Sequence, residues 1–395
     1  MSEGKEKRKI PKVRFPSFTD DWEQRKFSEI AQRESTAKKS STDFPSVEYE
    51  DVVSEVGILN KDVRLKETQK TGIGFDGSQV LYGKLRPYLH NWLSPDFCGV
   101  AVGDWWVLKP VNVDKSFLFR LIQTEKFDDI ANQSSGSKMP RADWNLLSNT
   151  EFMVPAEIEE ERKIGQYFSE LDHLITLHQR KLDDLKELKK GMRQRLFPKD
   201  GKNIPDLRFP GFNGAWERHT LNDVAKYRNG KAHENDIDAA GAYVVVNSKF
   251  VSTNGAVQKF SNKQIEPLFK NEIAFVLSDV PNGRAIARTF LVDKDNTYTL
   301  NQRIAGITPL KNADPYFLYI LMNRNPYFLK FDDGVKQTNL SVKDVMQFVS
   351  FYPTYEEQKI IGKYFENLDN LLLLQQKKIN DLLELKKGLL QQMFV

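Results

Sequence analysis

Apolar residues recur every three or four positions along two long stretches, residues 156–197 and 354–395, which no proline interrupts. This spacing places the apolar side chains on one face of a helix. The two stripes consist of Ile164, Phe168, Leu171, Ile175, Leu182, Leu185, Met192 and Leu196, and of Ile361, Phe365, Leu368, Leu372, Ile379, Leu382, Leu389 and Met393. The pattern predicts two long helices, each about 55 to 60 Å in length at 1.5 Å per residue.

Both stripes carry polar residues at the same two positions. His178 corresponds to Gln375, and Lys189 corresponds to Lys386. Polar residues inside a coiled-coil stripe fix the register of the helices at some cost in stability. They are equally compatible with a fraying edge of the stripe, so both interpretations stay open.

The second helix repeats the first. Residues 164–197 align without a gap to residues 361–394, with 19 identities in 34 pairs. Three further motifs recur at similar offsets: "RFPSF" and "RFPGF" from Arg14 and Arg208, each followed by a tryptophan; "FLFRLI" and "FLYILM" from Phe117 and Phe317; and the Gly-x-Lys turns Gly136-Ser137-Lys138 and Gly334-Val335-Lys336. The chain is therefore one repeat of about 197 residues written twice.

The segments between these motifs, residues 45–110 and 240–305, have no visible counterpart in each other. Both contain short apolar or alternating runs separated by Gly, Pro and Asn, such as "QVLYGK", "VAVGDWWVL", "AYVVV" and "EIAFVL". These runs indicate small sheets, with short helices at Phe117–Ile122 and Phe317–Met322. Each repeat is predicted to be α+β.

Connectivity predicts how the long helices pair. The first helix ends a few residues before the second repeat, and the second helix begins from that same repeat, so the two should form an antiparallel coiled coil. We predict a basic disordered tail at 1–10, a domain at 11–155, a spacer helix at 156–197, a linker at 198–204, a second domain at 205–353 and a second spacer helix at 354–395.

Composition describes a globular protein, with 40% apolar and 28% charged residues. The single cysteine, Cys98, excludes an internal disulfide, and "MSEGKEKRK" is not a signal peptide because no apolar run follows it. We therefore expect a cytoplasmic protein with no membrane association. The net charge of +4 leans only slightly toward a polyanionic partner.

A search for catalytic motifs finds none with the right context. "GIGFDG" (residues 72–77) has the spacing of a dinucleotide-binding loop, but it follows a polar stretch and leads into a predicted strand, so an ordinary glycine turn is the better interpretation. The five histidines form no metal-ligand pattern. We predict no catalytic residue, metal site or cofactor site on this chain.

Basic and amide residues beside aromatic residues are the remaining candidates for function. Arg, Asn and Gln can form bidentate hydrogen bonds with base edges in the major groove, and Lys suits phosphates. Taken singly, each residue could equally be a solvated loop residue or part of a structural ion pair. The candidates for DNA binding are Lys84, Arg86, Tyr88, Asn91, Lys138, Arg141, Asn282, Arg284, Arg288, Gln302, Arg303, Lys336, Gln337 and Asn339.

The repeated motifs, above all the duplicated "IGxYFxxLDxLxxL…LxELKKG" helix, closely resemble the specificity subunit of bacterial type I restriction–modification enzymes. The resemblance implies two target-recognition domains on an antiparallel helical spacer, reading the two halves of an asymmetric, interrupted site in double-stranded DNA. It also implies assembly with two methyltransferase subunits, which bring S-adenosylmethionine, and with restriction/translocase subunits, which bring ATP and Mg²⁺. Two alternatives remain: a coiled-coil scaffold joining two protein-binding domains without DNA, and a self-sufficient enzyme with a divergent site.

Overall fold

A computed structural model describes residues 10–66, 69–133, 138–199 and 201–395. The chain forms two compact units: the first unit contains the residues up to Arg180 together with Gln375–Val395, and the second unit is Lys181–Leu374. Most of the predicted basic tail, residues 1–9, and the predicted turn residues Gly136 and Ser137 lie outside the described residues.

The first unit contains twelve strands and four short helices among its described residues. The strands are β1 (Glu23–Lys26), β2 (Ala31–Glu34), β3 (Ala37–Lys39), β4 (Ser46–Val47), β5 (Val52–Val53), β6 (Ile58–Leu59), β7 (Thr71–Phe75), β8 (Val80–Gly83), β9 (Trp92–Leu93), β10 (Gly99–Ala101), β11 (Trp105–Pro110) and β12 (Glu151–Val154). The helices are α1 (Phe27–Ile30), α2 (Lys115–Leu121), α3 (Glu125–Ala131) and α4 (Trp144–Asn149).

Two four-stranded sheets and two two-stranded ribbons, one of which is the short pair β5-β6, organise the described part of the first unit. The sheets have the orders β2-β11-β8-β9 and β3-β7-β10-β4, and β10 pairs in parallel only with β4. The other ribbon pairs β1 with β12 antiparallel, so that Glu23 lies opposite Val154. The chain therefore enters and leaves the sheet region through adjacent strands.

A long helix, α5 (Ile158–Leu196), connects the two units. The strands of the second unit are β13 (Glu217–Thr220), β14 (Ala225–Asn229), β15 (Tyr243–Val246), β16 (Phe260–Ser261), β17 (Pro267–Leu268), β18 (Ile273–Val276), β19 (Ser278–Asp279), β20 (Thr289–Leu291), β21 (Tyr298–Leu300), β22 (Ile304–Pro309), β23 (Thr338–Asn339) and β24 (Val349–Tyr352). The helices are α6 (Leu221–Val224), α7 (Ser248–Ser252), α8 (Pro315–Met322), α9 (Pro326–Leu329) and α10 (Val342–Met346), and the chain then continues into α11 (Tyr355–Met393).

The second unit repeats the sheet plan of the first, except that one edge strand, β16, pairs with β15, whereas β3 of the first unit pairs with β7. The order β14-β22-β18-β20 matches β2-β11-β8-β9, and β13 pairs antiparallel with β24 as β1 pairs with β12. In the other sheet, β21 has one antiparallel neighbour, β17, and one parallel neighbour, β15, as β10 has β7 and β4. The divergent segments therefore do have structural counterparts, which sequence identity does not reveal.

The recurring arginine–proline motif ties each sheet region to the start of a long helix. Arg14 forms two hydrogen bonds of 2.7 Å with Glu160 in the first turn of α5, and Arg208 forms the same pair with Glu357 in the first turn of α11. Both glutamates are 1% exposed. These bidentate pairs explain why the motif occurs once in each repeat.

The recurring tryptophan completes equivalent aromatic clusters. Phe117 of α2 stacks on Phe394 at 5.3 Å and contacts Trp22 edge-on. In the second unit, Phe317 stacks on Phe197 at 5.2 Å and contacts Trp216. Each short helix is thus packed between the opening motif of its own repeat and the end of a long helix.

The long helices pack antiparallel within each unit, as predicted. In the first unit the early part of α5 contacts the late part of α11: Lys386 pairs with Asp172, and Gln375 bonds with His178. In the second unit the late part of α5 contacts the early part of α11, where Lys189 pairs with Asp369. All four predicted polar positions therefore make contacts between the helices, which favours the register interpretation over a frayed edge.

Glycines allow the short helices to approach the long ones. A Cβ atom on Gly165 of α5 would lie 1.8 Å from Oγ of Ser116, and one on Gly362 of α11 would lie 2.4 Å from Oδ1 of Asp314. At Gly165 the Cβ and the backbone of Ser116 leave room only for glycine, whereas at Gly362 a larger residue would displace the Asp314 carboxylate that caps α8. None of the helices in the described ranges is long and apolar enough to span a membrane.

Candidate nucleic-acid interface

Two loops meet at one surface of the second unit. The first loop (residues 277–288) follows β18, and the second (residues 332–341) precedes α10. Ser278–Asp279 pairs with Thr338–Asn339 as a short ribbon, and Nδ2 of Asn282 donates a hydrogen bond to the Gly334 carbonyl at 3.1 Å. We call this pair of loops the two-loop surface of the second unit.

Asp279 holds the first of these loops in shape. Its carboxylate accepts hydrogen bonds from the backbone N–H groups of Val280, Ala285 and Ile286. The aspartate lies just before the turn "PNG", the sort of position where a short carboxylate caps the backbone of a turn. The loop therefore presents its side chains on a fixed backbone.

An equivalent two-loop surface exists in the first unit. One loop (residues 84–91) follows β8, and the turn at residues 138–142 precedes α4. The backbone N–H of Arg86 donates to the Pro140 carbonyl at 2.7 Å, and Ala142 N–H donates to the Lys84 carbonyl at 2.9 Å. Each unit thus places the turn that carries Lys138 or Lys336 beside the loop after its buried strand.

Asp104 organises the cations of the first surface. Its carboxylate pairs with Arg141 at 3.0 Å and with Lys84 at 3.5 Å. The hydrogen bond from Arg141 lowers the pKa of Asp104 below its usual range, against the opposing effect of burial. The carboxylate is therefore ionised at neutral pH, and it holds both cations close to each other.

The predicted residues of the first unit fall into two groups. Arg86, Tyr88 and Lys138 are exposed, and Arg86 has a left-handed backbone with φ of 50°. Asn91 is only 6% exposed, and its Oδ1 accepts a hydrogen bond from Ser54 at 2.8 Å. The position of Asn91 favours a structural role in the loop.

Most predicted residues of the second unit lie on or beside its two-loop surface. Asn282, Arg284, Lys336, Gln337 and Asn339 are exposed there, and Nε2 of Gln337 bonds to Ser278 at 2.8 Å and to Asn339 at 3.2 Å. The carbonyl of Arg303 accepts from Leu277 N–H, which places Arg303 beside the same loop.

The two remaining residues make other contacts. The guanidinium of Arg288 donates from Nε to the Arg284 carbonyl at 2.7 Å, so it supports the loop backbone. The side chain of Gln302 donates to Glu234 at 2.8 Å, which draws it toward a different segment. Sequence reasoning also missed Asp104, which directly follows Gly103, and Asp279, which precedes "PNG"; the neighbouring turn residues could have indicated both.

The motif "GIGFDG" is part of the sheet. Residues 71–75 form β7, and Gly77 has a positive φ of 90° in the turn that follows. Within the described part of the chain, no group of three or more His, Cys, Asp or Glu side chains is placed to hold a metal ion.

Comparison with known proteins identifies the class. The family model described as "Type I restriction modification DNA specificity domain" matches the chain twice, at residues 19–187 and 213–385. The chain therefore belongs to this family. It is a specificity subunit of a type I restriction–modification system, a non-catalytic component whose partner subunits carry out catalysis.

Two curated relatives show the same kinship. The chain is 23% identical over 354 residues to the type I restriction enzyme MjaVIII specificity subunit of Methanocaldococcus jannaschii, covering 85% of this chain and 80% of the relative. It is 28% identical over 169 residues to the EcoDI specificity subunit of Escherichia coli, covering 40% and 37% of the two chains.

Two solved structures share the fold. The S subunit of a type I restriction–modification system from M. genitalium superposes with a TM-score of 0.62 at 15% identity, covering 98% of this chain and 99% of the other. A chain from a study of complex assembly and conformational transition in a type I R-M system gives a TM-score of 0.57 at 17% identity, covering 93% and 96%. The α+β class with two pseudo-symmetric recognition domains and a helical spacer is thereby confirmed.

Proposed function

We propose that each two-loop surface reads one half of an asymmetric, interrupted site in double-stranded DNA, and that the chain directs adenine methylation and restriction by its partners. The observation that carries this proposal is the duplication of one loop arrangement with different side chains. The same pairing of loop and turn presents Arg86 and Tyr88 in one unit and Asn282 and Arg284 in the other. Two surfaces that share one backbone arrangement but carry different side chains are suited to bind two half-sites of different sequence.

The side chains on the two surfaces fall into two classes, one suited to phosphates and one suited to base edges. Lys138 and Lys336 are exposed on the equivalent turns and suit phosphates, whereas the amides of Asn282, Gln337 and Asn339 suit base edges. Asn91 and Arg288 have structural roles, so we leave them out of the proposed contacts. Lys84, which is paired with Asp104, and Gln302, which is bonded to Glu234, are secondary candidates. The remaining proposed contacts are Arg86, Tyr88, Lys138, Arg141, Arg284, Arg303 and Lys336.

The partners follow from the proposed role. We expect two methyltransferase subunits that bind S-adenosylmethionine and restriction/translocase subunits that use ATP and Mg²⁺, none of which requires a cofactor site on this chain. For the recognition domains and spacers we propose the limits 11–155, 156–197, 205–353 and 354–395, with a linker at 198–204. In this proposal the paired helices set the distance between the two readers.

The test is a domain exchange in the assembled methyltransferase. Residues 32–135 are replaced by the matching segment of another specificity subunit, and methylated sites are mapped across a genome. One half of the recognised sequence should change while the other half and the spacer stay the same. A change in both halves would show that the two units do not recognise their half-sites independently. If the complex without the exchange binds no DNA at all, the scaffold alternative is favoured.

A further inference from the structure

Exposed aliphatic side chains stand on both loops of the second-unit surface. Val280 is 63% exposed and Val335 is 76% exposed. A single exposed apolar side chain is ordinary in a soluble protein. Here, however, the two valines lie on loops that are bonded to each other through Asn282 and Gly334.

The first unit also exposes apolar side chains on its own pair of loops, although at different positions within them. Tyr88 and Leu89, on the loop after β8, are 52% and 40% exposed, and Met139, on the adjoining turn, is 45% exposed. Apart from the recurring Gly-x-Lys motif, the two units share no sequence identity in these loops. Recurrence of exposed apolar groups on both loops of both surfaces points to a common use.

The neighbours of the valines indicate which partner they fit. Asn282 and Gln337 lie two residues away along the chain, and Arg284 and Lys336 add positive charge. In the major groove, adenine offers a donor and an acceptor that match an amide side chain, and thymine offers a 5-methyl group as an apolar contact. A valine beside an amide therefore matches the two edges of A·T pairs.

Resting on the DNA-reading function above, we propose that Val280 and Val335 contact thymine 5-methyl groups in the second half-site. Tyr88, Leu89 and Met139 make the corresponding apolar contacts in the first half-site. These side chains determine specificity by burying methyl groups, while the nearby amides and cations bond to base edges and phosphates. The second half-site accordingly contains A·T pairs.

The experiment uses the chain assembled with its methyltransferase subunits and duplexes that carry the target found by methylation mapping. Each thymine of the target is replaced in turn by deoxyuridine, which removes only the 5-methyl group. Binding should weaken about fourfold at one or two thymines of the second half-site, the effect of leaving one methyl group unburied. The Val280→Ala and Val335→Ala variants should bind unmodified DNA more weakly by a similar factor, and each should lose the response to deoxyuridine at one thymine.

Val349→Ala is the matched control, because Val349 is 36% exposed but lies on β24. It should keep the full response to deoxyuridine. The inference is wrong if the complex binds its target but no thymine of the second half-site is sensitive, or if the two valine variants respond as the unaltered chain does. It is also wrong if Val335→Ala impairs only assembly with the methyltransferase, which would assign the valine to a protein contact. Absence of sequence-specific binding by the unaltered complex would instead overturn the proposed function itself.

Discussion

Lys386 and Asp172 form an ion pair between the two long helices, with Nζ 2.8 Å from Oδ1. Arg120 binds the other oxygen of the same carboxylate at 2.7 Å. The side chain of Arg120 is only 3% exposed and that of Lys386 10%, and burial lowers the pKa of both groups. One aspartate thus compensates two buried cations.

Asp172→Asn should therefore be among the most disruptive single changes in the spacer, at about 3 to 5 kcal/mol, because it leaves buried charge without a partner. The equivalent Asp369→Asn is the control: Lys189 is 24% exposed and can reach water, so about 1 kcal/mol is expected. Calorimetric unfolding of both variants checks this order. Equal losses would mean that Asp172 is not the counter-ion for both cations.

A buried carboxyl group in the first repeat, that of Glu161, is replaced by the neutral amide of Gln358 at the equivalent position of the second repeat. Glu161 is 2% exposed and accepts a hydrogen bond from the backbone N–H of Asp114. Its equivalent, Gln358, accepts from Asp314 N–H at 3.0 Å and donates to the carbonyls of Asn312 and Pro353. Burial raises the pKa of Glu161 from 4.5 to about 7, because removal from water disfavours the charged carboxylate.

The free energy of unfolding should consequently fall as the pH rises from 4.5 through 7. Over this range Glu161 loses its proton in the unfolded chain but keeps it in the folded chain, so a rising pH favours unfolding. Glu161→Gln should remove this dependence and be more stable at pH 8 by about 2 to 3 kcal/mol. Thermal midpoints at pH 5 and pH 8 measure the effect. Gln358→Glu should introduce a similar pH dependence, and parallel curves for all three chains would refute the assignment.

Glycines in the long helices should respond to alanine in opposite ways. A Cβ atom on Gly191 or Gly388 would have no neighbour within 4 Å, so Gly→Ala there should stabilise by about 1 kcal/mol through helix propensity. Gly165→Ala and Gly362→Ala should destabilise, because the new methyl group would collide with the short helix of each unit. Calorimetry on the four variants tests the contrast, and a stabilised Gly165→Ala chain would contradict the close approach.

The lysines of the equivalent turns should carry electrostatic affinity for DNA. Lys138→Ala and Lys336→Ala should weaken binding across all sequences and reduce the salt slope by about one counterion each. Lys294→Ala, on the turn between β20 and β21, is the control and should leave the slope unchanged. Titrations of the assembled complex at several salt concentrations give the slopes. Unchanged slopes for both turn lysines would assign them to the protein scaffold.

The spacer should be adjustable in heptads. Leu182 and Ile379 are buried at 3% and 4% exposure, and adding seven residues after each keeps both apolar stripes in phase. The added length is at most about 10 Å, or roughly three base pairs of DNA. Methylation mapping should then find a longer gap between unchanged half-sites. An unchanged gap in an active complex would mean that the partner subunits fix the distance.

The long helices were predictable because an apolar period near 3.6 residues, sustained over many turns, is typical of a helix and incompatible with the two-residue period of a strand. The shared sheet plan was not predictable, since Val80–Gly83 and Ile273–Val276 are equally buried but share no residue. Burial constrains a strand to be apolar and leaves the identity of its residues open. For this reason the two divergent segments looked unrelated although they fold alike.

Individual site residues were harder to predict because an amide residue in a loop has the same sequence signature whether it supports the loop or binds a partner. Asn91 and Asn282 both follow a buried strand, yet Asn91 is buried against Ser54 and Asn282 is exposed on its loop. Which role applies depends on the conformation of the loop. That conformation is set by distant residues such as Asp104 and Tyr49, whose hydroxyl accepts a hydrogen bond from Leu85 N–H at 3.0 Å.

The pairing of β1 with β12, and of β13 with β24, places the two junctions of each sheet region side by side. Genetic recombination that replaces everything between Lys26 and Glu151 needs two crossovers, and in the protein both fall at the same end of one ribbon. An incoming cassette therefore joins the host chain at one short seam, but it must also provide the side chains that contact the long helices, such as Phe117 against Phe394 and Arg120 against Asp172. Inheritance of a new specificity then requires compatibility at this seam and at the contacts with the long helices, and the recurring motifs of the frame supply both in each repeat.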